Sequence, residues 1–339
     1  MRNIGLVLFT KEREKHKLNF VRSCLIKIKK AFEKIFSIIF KKSLHESSIR
    51  KIEIDANLNI FLMRLPYSLD ELIVSRGLKL KGIQKTILRA CMENGIEKCI
   101  LPASIPKTIN MNYCIKNPFS GNFIYTALIV YILELISDKK GISIRDLDVA
   151  IIHGRNYSIL HSYIEFLSPV AKFITIITNE KKSIQDRIEE IFDETGLSVR
   201  VTNDIASGMD NADVVINLGD INDFIVDKEI KSDALIINYG NLKGDKFIFN
   251  NFVINGINVC LDKRFEGIID TDVYDYYSKI ELAEIILSKK LNIDANIIDN
   301  NSDYSIMQKL SKQFVEDGYR ITEYIGRRNI VKSGDISLL

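Results

Sequence analysis

At 339 residues, 46% of them apolar and 27% charged, the chain is long enough to bury a sizeable core and to form roughly two domains. A net charge of +3 is too small over that length for a global nucleic-acid footprint, so no specific nucleic-acid partner is indicated. The five cysteines, Cys24, Cys91, Cys99, Cys114 and Cys260, are scattered and include no CxxC pair, which argues against a zinc site or a disulfide framework and makes a reducing cytoplasm the expected setting.

The chain opens with a strand-like run, Ile4 to Phe9, too short for a signal peptide. Residues 11–51 then hold thirteen Lys or Arg against four Glu. Leu25, Ile28, Phe32, Ile35, Phe36 and Ile39 recur at spacings of three and four among them, so residues 18–42 read as a basic amphipathic helix. It either packs on a small sheet with a solvated lysine face or lies on a nucleic-acid backbone or an anionic membrane surface, the last of which would make the protein peripheral to a membrane. Strands are expected at 52–54 and 58–63, a short helix behind an N-cap at Ser68, a helix over 79–94 stopped by Asn94-Gly95, and a strand ended by Pro102. Residues 1–116 thus form an N-terminal α/β domain.

The turn cluster at 116–122 marks a junction, and a buried helix follows over 123–137. From residue 147 the pattern alternates strand and helix, as parallel βαβ units do, with strands at 147–153, 173–178, 198–202, 213–218 and 234–238 and helices at 158–168 and 183–195. Val149 to Ile152 and Phe173 to Ile177 are apolar on both faces, as covered strands require. A hairpin-like passage is expected over 247–259, then helices at 272–290 and Tyr304 to Glu316, and a basic tail near Arg327-Arg328.

The turn after the first of these strands reads Gly154-Arg155-Asn156-Tyr157-Ser158. A dinucleotide fold usually carries GxGxxG there, because glycine lets a pyrophosphate approach the helix N-terminus. Only the first glycine is present, so contact would fall to side chains, with Arg155 able to meet a phosphate. At the end of the second strand, Thr178, Asn179, Glu180, Lys181 and Lys182 replace the usual lone acid, a set that suits a ribose phosphate and so NADP, with NAD kept open by Glu180. Gly219, and Asn238, Tyr239 and Gly240, end the next two strands on the same rim. The resulting assignment is an α/β protein with a Rossmann-like parallel sheet over 117–270, and 271–339 as C-terminal helices and tail packing back on the N-terminal domain. The cofactor-binding set is Gly154, Arg155, Asn156, Tyr157, Ser158, Thr178, Asn179, Lys181, Lys182, Gly219 and Tyr239. His153 faces the same crevice, while Lys107 and Lys116 lie on loops of the first domain; no catalytic residue or metal ligand is assigned.

Asn117-Pro118-Phe119-Ser120-Gly121, the long helix, Val149 to Asn156, and Ala212 to Gly219 together resemble the ordered landmarks of the methylenetetrahydrofolate dehydrogenases. Shikimate dehydrogenases and glutamyl-tRNA reductases share that layout. The resemblance spans roughly residues 115–240 and implies a two-domain NAD(P)-dependent oxidoreductase of the amino-acid-dehydrogenase-like type, with a small-molecule ligand in the interdomain crevice. A non-catalytic scaffold or regulatory protein, using residues 18–42 as its contact surface, is the alternative that the altered glycine pattern suggests.

Overall fold

The computed structural model describes residues 2–9, 49–74, 77–105, 114–116, 118–154, 157–219, 230–240, 251–262, 265, 267–293, 304–326, 330–333 and 335. The expected basic helix at 18–42 lies outside them, as do Arg155, Asn156, Lys107 and Arg327-Arg328. The chain divides into two compact units, residues 1–120 with 263–282, and residues 121–262 with 283–339. Among the described residues, no helix is long and apolar enough to cross a membrane.

The first unit contains β1 (Arg2–Phe9), β2 (Ile49–Asp55), β3 (Leu58–Leu65), α1 (Leu69–Val74), α2 (Gly77–Glu93), β4 (Lys98–Leu101) and β5 (Cys114–Lys116). Its strands form one sheet in the order β2-β3-β1-β4-β5, parallel except for the β2–β3 hairpin. As expected, Ser68 caps α1, its Oγ accepting the Glu71 N–H at 3.2 Å. Helix α2 sets Ile83, Ile87, Ala90 and Cys91 into a cluster with Val7, Met63 and Leu101. Each of the two buried isoleucines is worth about 1.5–3 kcal/mol against leaving it in water. Gly95, at φ 60°, turns the chain out of the helix.

The continuous helix expected over 272–290 is instead a 3-10 turn at Thr271–Asp275 followed by α8 (Lys279–Lys290), labelled here by its place after the helices of the second unit. The cause is a capping box. Ser278 Oγ accepts the Glu281 N–H at 3.3 Å while Glu281 Oε2 accepts the Ser278 N–H at 2.7 Å, so the sequence Ser278-Lys279-Ile280-Glu281 starts a new helix. The freed turn directs the Tyr276 hydroxyl to the Phe9 carbonyl at 2.8 Å, and the Tyr277 hydroxyl to the Ile100 carbonyl at 2.7 Å. Residues 263–282 belong to the first unit, and 283–339 to the second.

The second unit begins with α3 (Asn122–Ala127) and α4 (Ile129–Lys140), where one helix was expected; buried Leu128, at φ −89° and ψ 10°, separates them. There follow β6 (Val149–Ile152), α5 (Tyr157–Leu167), β7 (Phe173–Ile177), α6 (Lys181–Thr195), β8 (Ser198–Thr202), α7 (Ile205–Met209), β9 (Val214–Asn217), β10 (Leu235–Asn238) and β11 (Val253–Ile254). They build a six-stranded, wholly parallel sheet in the order β11-β10-β9-β6-β7-β8. Counted from β6, this is the 3-2-1-4-5-6 order of the Rossmann fold, and its direction of winding reverses between β6 and β9. The expected hairpin at 247–259 is not formed by the described part of that segment. There β11 extends the parallel sheet, whereas β12 (Gly256–Cys260) pairs with β13 (Arg320–Ile325), which pairs in turn with β14 (Ile330–Lys332). Helix α9 (Tyr304–Glu316) buries Met307, Leu310 and Phe314, and Tyr304 meets the Phe166 ring edge-on at 4.8 Å.

Candidate functional site

In open α/β sheets, ligands gather at the carboxyl ends of the strands where winding reverses, here the ends of β6 and β9. Three glycines pack against one another at that rim. A Cβ on Gly154 would lie 2.4 Å from the Leu218 carbonyl oxygen, one on Gly219 would lie 2.9 Å from the His153 oxygen, and one on Gly240 would lie 1.9 Å from the Gly219 oxygen. None of the three has a left-handed φ, so close backbone crossing, rather than turn geometry, demands glycine. The ladder continues past the strand ends, with His153 N–H donating to the Ile177 carbonyl at 2.9 Å and Leu218 N–H to the Ile152 carbonyl at 3.0 Å.

Beneath the glycines runs a row of carboxamides. Asn217 ends β9 fully buried and stands in register with Asn238 at the end of β10. Asn217 Nδ2 donates to Asn238 Oδ1 at 2.7 Å, Asn238 Nδ2 donates to Asn255 Oδ1 at 2.9 Å, and Gly219 N–H donates to Asn217 Oδ1 at 3.1 Å. Sequence reasoning noted Asn238 on the rim but missed this row. Its signal was present, because Ile216-Asn217 and Ile237-Asn238 end β9 and β10, and Ile254-Asn255 straddles the end of β11.

Of the remaining expected site residues, Thr178 is buried, and its Oγ1 lies 3.0 Å from His153 Nδ1 while accepting the Glu180 N–H at 3.0 Å. Asn179 is exposed beside it, and Lys181 and Lys182 open α6. Tyr157 and Ser158 form the first turn of α5, immediately after the undescribed pair Arg155 and Asn156. Tyr239 has turned inward. Its N–H donates to the Asn217 carbonyl at 2.8 Å, its hydroxyl to the Tyr125 carbonyl at 3.2 Å, and its ring lies tilted against those of Tyr125 and Tyr163, with centroids 4.4 and 5.3 Å away. The structure therefore brings Gly154, Gly219 and Tyr239 together around Asn217, and Thr178 beside His153.

At the ends of β6, β9 and β10 the described residues are uncharged, while Glu180, Lys181 and Lys182 follow the end of β7. Burial lowers the His153 pKa, against a weaker upward pull from Glu180, so its imidazole is neutral at neutral pH. Burial also holds the Tyr125, Tyr163 and Tyr239 phenols well above their ordinary pKa, which leaves them protonated donors. His161, one turn into α5, pairs with Glu165 at 3.4 Å rather than facing the rim. Asp204 caps α7 by accepting the Ser207 N–H at 3.3 Å. Among the described residues, no group of three or more His, Cys, Asp or Glu is placed to hold a metal ion.

No family model matches the chain, and no curated protein matches it. Solved structures similar to it include Thermococcus litoralis Δ1-pyrroline-2-carboxylate reductase in complex with NADH and L-proline, at 11% identity over 38% of each chain with a TM-score of 0.26. The chain thus spans well under half of that reductase. Shikimate 5-dehydrogenase from Listeria monocytogenes, in complex with shikimate and NAD, shares 9% identity over 70% of this chain and 78% of its own, at a TM-score of 0.26. Anabolic ornithine carbamoyltransferase from Campylobacter jejuni shares 13% identity over 86% and 88%, at 0.32. These three catalyse different reactions, and the functional reading rests on the sheet and its rim.

Proposed function

We propose that the second unit binds NADP or NAD and that the protein is an NAD(P)-linked oxidoreductase acting on a small molecule. The observation that carries the reading is the strand order, which sets the Gly154 turn and the N-terminus of α5 at the point where winding reverses. The chain's own groups suit such a ligand. The turn from Gly154 to Ser158, leading into the first turn of α5, would take the pyrophosphate. Asn179, Lys181 and Lys182 at the start of α6 would take the ribose or its phosphate, with Thr178 holding the loop from beneath. Gly219 and Tyr239 would back the nicotinamide half, and a bound nicotinamide would supply hydride transfer. Neutral His153, fixed through Thr178, is the rim group best placed to exchange a proton.

The chain has no tryptophan, so nicotinamide fluorescence can be read without interference. Titration of the full chain is expected to show saturable enhancement with NADPH and a weaker response with NADH. K181A/K182A should narrow that difference by weakening NADPH alone. If neither cofactor binds at roughly millimolar concentration, a free energy of only about −4 kcal/mol, the proposal fails.

A further inference from the structure

Three cysteines, from α2, β4 and β5, meet inside the first unit. Cys91, on the buried face of α2, places its sulfur 3.0 Å from that of Cys99 on β4. Cys99 is in register with Cys114 on the neighbouring parallel strand β5, and parallel partners about 4.8 Å apart carry their side chains on the same face. Cys91 and Cys99 are buried, whereas Cys114 is half-exposed. The fold has also made room for the central thiol. A Cβ on Gly5, in the middle of β1, would lie 2.7 Å from Cys99 Sγ, so a glycine stands in a buried strand where it weakens the strand but admits the sulfur. Met63 Sδ lies 3.8 Å from the same atom.

The thiols differ in character. The hydrogen bond from Cys99 lowers the pKa of Cys91, while hydrogen bonding to Cys114 and Cys91, together with burial, raises that of Cys99 far out of the working range. Cys91 is therefore the more thiolate-like of the inner pair, and Cys114 the one that solvent reaches.

We propose that these three residues form an oxidisable thiol relay, in which a hydroperoxide enters at Cys114 and the oxidation ends as a buried Cys91–Cys99 disulfide. The Cys114 sulfur attacks the peroxide, so that an S–O bond forms, the O–O bond breaks, and the first water or alcohol leaves with the thiol proton. Cys99 then attacks the Cys114 sulfenic acid; the S–S bond forms, the S–O bond breaks, and the second water carries off the Cys99 proton. Cys91 attacks Cys99 in turn, expelling Cys114, which recovers the Cys91 proton. Two thiols have lost two electrons, the peroxide has gained them, and Cys114 is a thiol again. The product ties the end of α2 to β4 beneath the Asn94-Gly95 turn.

The full chain carrying C24S/C260S retains only these three thiols. Treated with one equivalent of hydrogen peroxide, unfolded, alkylated and digested without reduction, it should yield a Cys91–Cys99 cross-linked peptide and alkylated Cys114, reversed by dithiothreitol. In C114A the same cross-link should form at least tenfold more slowly, and in C91A a Cys99–Cys114 cross-link should accumulate instead. Retained Cys91 and Cys99 thiols beside a Cys114 sulfinic or sulfonic acid would overturn the proposal, as would a C114A rate equal to that of the parent. Circular dichroism of each reduced variant confirms that it is folded before oxidation.

Discussion

Strands β6 and β9 have opposite chemistry at their two ends. At the carboxyl end lie three glycines, neutral His153, Thr178 and the carboxamides of Asn217 and Asn238. At the amino end lies a charge, since Asp213 accepts the Asp148 N–H at 3.0 Å and pairs with Lys231 at 2.5 Å. Burial alone would raise the Asp213 carboxyl, but the Lys231 ammonium and the Asp148 N–H outweigh it and hold its pKa below the usual range. Charge thus fastens the end remote from the rim, whereas the rim is held by backbone contact and neutral hydrogen bonds. An anion arriving between the ends of β6 and β9 would meet dipoles there.

The contrast can be broken most forcefully at the rim. Gly240→Ala sets a methyl 1.9 Å from a backbone oxygen, which neither strand can move aside cheaply, and should cost at least about 3 kcal/mol in urea unfolding. Gly82, exposed in α2 with nothing within 4 Å of its added Cβ, is the matching control, and its replacement by alanine should stabilise by about 0.5–1 kcal/mol. A small loss in G240A would mean that the crossing of the three strand ends is looser than described. Between these, Asp213→Asn should cost about 1–2 kcal/mol, a hydrogen bond to charge discounted because Lys231 is partly exposed. The contribution of Asp213 is present above about pH 4, the ordinary aspartate value, and is lost as pH falls through its own lower pKa. Acid unfolding of D213N should therefore lack that part of the slope.

The smallest effect belongs to His153. Because its folded pKa is lowered, the unfolded chain takes up the proton first, so stability is full above about pH 6.5 and declines as pH falls toward the folded value. Stability curves of the parent and H153N between about pH 5 and 7 should differ in slope by less than one proton. Parallel curves would show that His153 titrates as an ordinary exposed histidine.

The βαβ alternation was readable because β6, β7, β9 and β10 are apolar runs bounded by turns, and their pairing follows from that pattern. What escaped was set by contacts between segments distant in sequence. The one glycine of the turn after β6 looked like a remnant of a motif, yet the Leu218 carbonyl pressing on it explains its presence whether or not a phosphate binds. Tyr239 looked like a rim residue, but aromatic neighbours from α3 and α5 draw it inward. The break before α8 lay in plain view as a capping box, overlooked because the tyrosines ahead of it extend the apolar stretch. The thiol trio could not be read from spacing at all, since β5 brings Cys114 to Cys99 only through strand pairing.

The carboxamide row has a sense of direction. Gly219 N–H can only donate, so Asn217 must turn its oxygen toward it and its amino group toward β10; Asn238 then has no choice, and neither has Asn255. Reversing a single amide would set oxygen against oxygen on one side and nitrogen against nitrogen on the other. The three side chains are therefore set together, and one backbone hydrogen beside the Gly154 turn decides the orientation of an amide two strands away.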